Sequence, residues 1–115
     1  MKILSLSTDE ELNRLRQFAL QYAGHSVALL NTEKEAIAAA EGGEEYDVIL
    51  LCHKLPAATA RQVVRLLRQR SSAAKLIYIA HLYGEWPEVE ADRYVVGADG
   101  PEALTRVLDE VATAV

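Results

Sequence analysis

Five short apolar runs punctuate the chain: Ile3-Leu4-Ser5-Leu6, Val27-Ala28-Leu29-Leu30, Val48-Ile49-Leu50-Leu51, Leu76-Ile77-Tyr78-Ile79 and Tyr94-Val95-Val96. Each is near-continuous instead of alternating with polar residues, as in parallel strands covered on both faces. Between them the pattern changes to a helical period. Thr8 and Glu11 make a capping box ahead of Leu12, Leu15, Phe18, Ala19 and Tyr22, which predict one buried stripe ending at Gly24. Thr32 and Glu35 repeat that grammar before Ala36, Ile37 and Ala40, with Gly42-Gly43 as the stop. A third helix follows Pro56 and carries Val63, Val64, Leu66 and Leu67. The last starts near Pro101, a favoured first helical residue, with Leu104, Val107, Leu108 and Val111 as its stripe.

Strands that alternate with helices pair in parallel, and right-handed crossovers place the helices on both faces. The fold class is therefore α/β: a doubly wound parallel five-stranded sheet in a three-layer sandwich, with residues 1–115 as a single domain. One interval breaks the rhythm. His81 to Arg93 is short and interrupted by Gly84, Trp86 and Pro87. It predicts a shortened fourth helix of one or two turns at most, from Pro87 through Glu88, Val89, Glu90 and Ala91.

The stretch Tyr46-Asp47-Val48-Ile49-Leu50-Leu51-Cys52-His53-Lys54-Leu55-Pro56 resembles the third strand of a response-regulator receiver domain. The Val-Val-Arg-Leu-Leu-Arg pattern within Arg61 to Arg68 and the run Ala91-Asp92-Arg93-Tyr94-Val95-Val96 extend the likeness over essentially the whole chain. The resemblance implies a flavodoxin-like receiver fold, and it maps the family's active site onto named positions. The acidic pair that holds the metal falls on Ser7 and Thr8, and the phospho-accepting aspartate on Cys52. The strand-four hydroxyl falls on Ala80, the lysine after strand five on Gly97, and the following proline on Ala98. Of the switch residues, Tyr94 alone is kept.

Elementary chemistry agrees with that tally. An acyl phosphate needs a carboxylate nucleophile, an oxygen-rich Mg²⁺ site and a cation for the phosphoryl oxygens. A thiol is a soft ligand and a poor substitute for a carboxylate. Asp47 begins strand three, roughly 16 Å from Cys52 at about 3.3 Å per residue, and Asp9 belongs to the start of the first helix. No catalytic residue, metal site or cofactor is assigned.

Composition narrows the partners. The formal net charge is −5, which disfavours nucleic acid and anionic membrane as partners. Arg61, Arg65, Arg68 and Arg70 crowd one helix, where a solvated stripe or an acidic protein partner is the alternative. With one cysteine, no internal disulfide forms. No secretory signal pattern follows Met1, so a cytoplasmic protein is expected.

Cys52, His53 and His81 also invite a Cys–His nucleophile pair. Against it, a buried thiol commonly fills space, and a persisting strand sends His53 to the face opposite Cys52. Tyr83, Trp86 and Tyr94 form an aromatic cluster suited to an interface. The function expected is a pseudo-receiver: a non-phosphorylatable protein–protein interaction module of bacterial two-component-type signal transduction. Its partner is another signalling protein or a second copy. A small-molecule sensor using the vacated crevice, or a redox or enzymatic role for Cys52, is the alternative.

Overall fold

The computed structural model describes residues 1–82 and 88–113. Five strands, β1 (Lys2–Leu6), β2 (Ser26–Leu30), β3 (Val48–Cys52), β4 (Lys75–Ala80) and β5 (Arg93–Val96), form one sheet in the order β2-β1-β3-β4-β5. Every neighbouring pair is parallel, with Leu6 opposite Leu51, Cys52 opposite Ile79 and Ala80 opposite Val96. All strand C-termini therefore lie along one end of the sheet. The strand order reverses at β1, which puts the topological switch point between β1 and β3.

The helices are α1 (Glu10–Tyr22), α2 (Glu33–Glu41), α3 (Ala57–Gln69) and α4 (Pro101–Thr113). Alternate residues of the strands feed two cores. On one face Leu4, Ile49, Leu51, Leu76 and Tyr78 pack with Ala36 and Ala40 of α2 and Val63 and Leu67 of α3. On the other, Ile3, Leu50, Ile77, Ile79 and Val95 pack with Leu20 of α1 and Leu104 and Leu108 of α4. Burying each such Leu or Ile side chain contributes about 1.5–3 kcal/mol. This is the expected three-layer sandwich. Among the described residues no helix is long and apolar enough to cross a membrane.

Helix α1 departs from its expected form in two ways. Its N-cap is Asp9, whose carboxylate accepts the Leu12 amide at 3.0 Å, whereas the Thr8 hydroxyl donates to the Lys54 carbonyl at 2.6 Å. More consequentially, the expected apolar stripe faces solvent: Leu15 is 61% exposed, Phe18 67% and Tyr22 96%. The buried positions are Asn13 and Leu20. Asn13 wins the inward place because its amide donates to the carbonyls of Ser5 and Leu30 and to Asn31 Oδ1, while its oxygen accepts the buried Ser5 hydroxyl. Polar satisfaction at the end of β1 outweighs the burial of larger apolar side chains. Gly24, at φ +95°, then supplies the left-handed stop.

The interval before β5 also differs. Residues 88–92 are non-helical, so the expected turns through Glu88 and Ala91 do not form there. The backbone groups find other partners. Tyr94 Oη donates to the Val89 carbonyl at 2.7 Å and accepts the Ala91 amide at 3.1 Å. Asp92 donates its amide to the Leu76 carbonyl and accepts the Leu76 amide on its carboxylate, each at 2.7 Å. Val89 is buried in the α2–α3 core. These bonds hold the segment along the strands, leaving its amides unavailable to a helix.

Candidate functional site

The switch-point end of the sheet gathers Ser7, Thr8, Cys52, Ala80 and Gly97, because each follows or ends a parallel strand in register with its neighbour. Ser7 is buried, and its Oγ accepts the Asp9 amide at 3.1 Å. The Thr8 hydroxyl is committed to the Lys54 carbonyl. Cys52 is 1% exposed, with its Sγ 3.5 Å from the Lys54 amide. Ala80 is buried and presents only a methyl group. Gly97 opens a short 3-10 turn, Gly97–Asp99, and a Cβ there would lie 3.3 Å from the Ala80 carbonyl oxygen.

These residues do not fit a magnesium ion. The two hydroxyls are held by backbone groups, the thiol is soft, and Asp9 spends its carboxylate on the α1 cap. Among the described residues no three His, Cys, Asp or Glu side chains converge on a possible ion position. Asp47 lies at the opposite end of β3, bonded to the Lys2 amide at 2.7 Å. Ser7, Cys52 and Ala80 are each at most 1% exposed, while Gly97, the fourth residue of the crevice that the sensor alternative envisaged, is exposed.

The rim carries two imidazoles and an arginine. β3 ends at Cys52, and the turn closed by the Leu55 amide on the Cys52 carbonyl begins at once. His53 therefore does not take the opposite face expected of a continuing strand. Its Nδ1 lies 3.8 Å from Cys52 Sγ, and its ring centroid is 5.1 Å from that of His81. Partial burial, then the nearby His81, Arg16 and Lys54, push the His53 pKa below the usual histidine range. Arg16 was not singled out in the sequence, since a cation inside a mixed helical pattern looks like surface. Its guanidinium reaches back over the sheet, with Nη2 3.9 Å from where a Cβ of Gly97 would stand.

Tyr94, within β5, is 42% exposed, and Leu82, just past β4, is also exposed. Tyr83 and Trp86, the other members of the expected aromatic surface, lie outside the described residues. Of the arginines on α3, Arg68 pairs with Asp92 at 3.5 Å. Arg70, just past the helix, is used internally, bonded to the Ala40 carbonyl and to Glu45. Arg61 and Arg65 face solvent.

Comparison with solved structures decides the architecture. The chain superposes on the chemotaxis protein CheY4 of Vibrio cholerae with a TM-score of 0.79 at 23% identity, covering 96% of this chain and 97% of that one. The receiver domain of the sensor histidine kinase PA1611 from Pseudomonas aeruginosa, described with magnesium in its active-site cleft, gives 0.80 at 19% identity over 97% and 98% of the two chains. The response regulator TrrA of Thermotoga maritima, in complex with Mg²⁺ and BeF, gives 0.78 at 23% over 96% and 99%. The fold is the receiver fold. A curated relative, the uncharacterized transcriptional regulatory protein YkoG of Bacillus subtilis, is 36% identical over 78 residues, which are 67% of this chain and 33% of YkoG. The match thus spans about a third of that relative's length. No family model matches the sequence.

Proposed function

We propose that this protein is a pseudo-receiver of bacterial two-component-type signalling, acting in the cytoplasm by binding a protein partner and accepting no phosphoryl group. One observation carries this reading. The place that the resemblance gives to the phospho-acceptor holds a buried thiol, and the Asp9 carboxylate at the start of α1 is bonded to the Leu12 amide. A phosphoryl donor offered to such a site meets no nucleophile of the right chemistry, no magnesium ligands and no lysine at Gly97.

The partner surface we propose comprises Tyr94 with Tyr83 and Trp86. Exposed apolar surface at Tyr94 and Leu82 supports it, since aromatic side chains anchor interfaces. The inward movement of the family's aromatic switch has no counterpart here, because Ala80 has no hydroxyl to be drawn in. Tyr94 is instead fastened to Val89 and Ala91.

Enzymatic use of Cys52 has the His53 contact at 3.8 Å in its favour, but a thiol 1% exposed offers a substrate no approach. The test is direct. Incubation with Mg²⁺ and acetyl phosphate should leave the intact mass unchanged. A gain of one phosphoryl group on any aspartate overturns the proposal.

A further inference from the structure

Helix α1 is apolar on two sides. Leu20, with Asn13, faces the sheet, while Leu15, Phe18 and Tyr22 face solvent. At about 3.6 residues per turn, the exposed three lie almost diametrically opposite the buried two. Their spacing, three residues and then four, is that of a narrow helix–helix seam and not of the wide stripe by which a helix packs on a sheet. A monomer leaves this seam in water.

The surroundings select what covers it. Helices α1 and α4 both start at the carboxyl end of the sheet and pack on the same face of it, so they run side by side in one direction. Phe18 and Tyr22 share an outer groove with Glu102, Arg106 and Asp109 of α4. A face carrying both signs of charge is not built for nucleic acid or a lipid surface, each of which asks for one sign. An apolar seam beside an anion and a cation four residues apart is instead complementary to its own copy turned about a two-fold axis.

We propose that the protein forms a homodimer through this face, with α1 packed antiparallel on α1 of the second copy. Setting Phe18 against Phe18 of the second copy brings Leu15 level with Tyr22 of the second copy. Because α4 keeps pace with α1, the same register brings Glu102 level with Arg106 of the second copy, and the symmetry makes that pair twice. Asp109 lies about a turn beyond the overlap. The area agrees. With roughly 200 Å² for a fully exposed large side chain, Leu15, Phe18 and Tyr22 present about 450 Å² to solvent. Two copies bury about 900 Å² in these side chains alone, and the α4 side of the groove brings the total toward the ~1,200 Å² at which specific interfaces begin.

An interface of that size predicts a dissociation constant of about 1–100 μM, which sedimentation velocity on the full chain from about 1 μM to 1 mM reads. The wild type should pass from monomer to dimer within that range. Phe18→Asp should stay monomeric throughout, and at low micromolar concentration its melting temperature should match the wild type, because the residue is exposed in the monomer. Glu102→Arg alone and Arg106→Glu alone each set like charges against one another across the axis and should weaken the dimer about three- to tenfold. The double variant restores opposite charges and should dimerise like the wild type. A wild type that stays monomeric at the highest concentration overturns the proposal. So does a dimer that Phe18→Asp leaves intact, which places the contact on another surface, or a double variant no tighter than either single one.

Discussion

Cys52 differs from an aspartate by more than a proton count. Its sulfur sits in a buried niche with the Lys54 amide, where a charged carboxylate would lose water without gaining a cation. Cys52→Asp should therefore raise the new carboxyl's pKa and lower stability by about 2–4 kcal/mol at neutral pH, measured by urea denaturation. It should also fail to restore phosphorylation by acetyl phosphate, since Ser7, Thr8 and Gly97 still supply neither magnesium ligands nor lysine. A phosphorylated Cys52→Asp protein would show that the remaining positions are competent.

His53 gives a pH prediction. Its pKa in the folded protein lies below the usual 6.5 because of burial, then His81, Arg16 and Lys54. The unfolded chain thus binds this proton more readily than the folded one. The penalty is absent above pH 6.5, grows as the pH falls below that value, and levels off beneath the lowered folded pKa. The melting temperature should fall on acidification through this window, and His53→Gln should flatten the decline. An unchanged slope in His53→Gln would contradict the assignment. The placement of the site positions was legible in the sequence because each adjoins a strand end. The direction of His53 was not, since it depends on where the strand gives way to a turn.

Helix α1 shows how two faces of one helix compete. The apolar spacing from Leu12 to Tyr22 pointed to the core, yet the sheet receives Asn13 and Leu20. Carbonyls at the ends of β1 and β2 needed a donor, and hydrophobic periodicity carries no record of that need. Leu20→Ala should cost about 2–5 kcal/mol. Asn13→Leu should cost about 1–3 kcal/mol by leaving those groups unpaired. Phe18→Ala, on the exposed side, should change stability by no more than about 0.5 kcal/mol. Chemical denaturation of the three variants distinguishes this ordering from a buried Phe18 stripe, which would make Phe18→Ala as costly as Leu20→Ala. The segment before β5 offers a smaller test. Tyr94→Phe removes the bonds to Val89 and Ala91, so it should cost about 1 kcal/mol and speed hydrogen exchange at the Ala91 amide. Capping at Thr32, whose oxygen accepts the Glu35 amide, was readable because both residues are local. Asp9 displaced Thr8 as the α1 cap because Thr8 found a distant partner in Lys54.

At the scale of the molecule, the alternation of apolar runs and helical stretches was enough to specify the order of the elements and the doubly wound sandwich. Parallel connectivity then brings all strand C-termini together, whatever residues stand there. The receiver fold is thus present while Ser7, Cys52 and Ala80 at its switch point are buried and uncharged, with Arg16 and the stacked His53 and His81 beside them. The proposed interaction module needs the scaffold and not the phosphorylation chemistry. The central claim is tested most directly by an amide NMR titration with Mg²⁺ and beryllofluoride. The account predicts no saturable shifts at Ser7, Cys52, Ala80 and Gly97. Saturable shifts at those residues would mean that the site still takes up the ion and the phosphoryl mimic, and would contradict it.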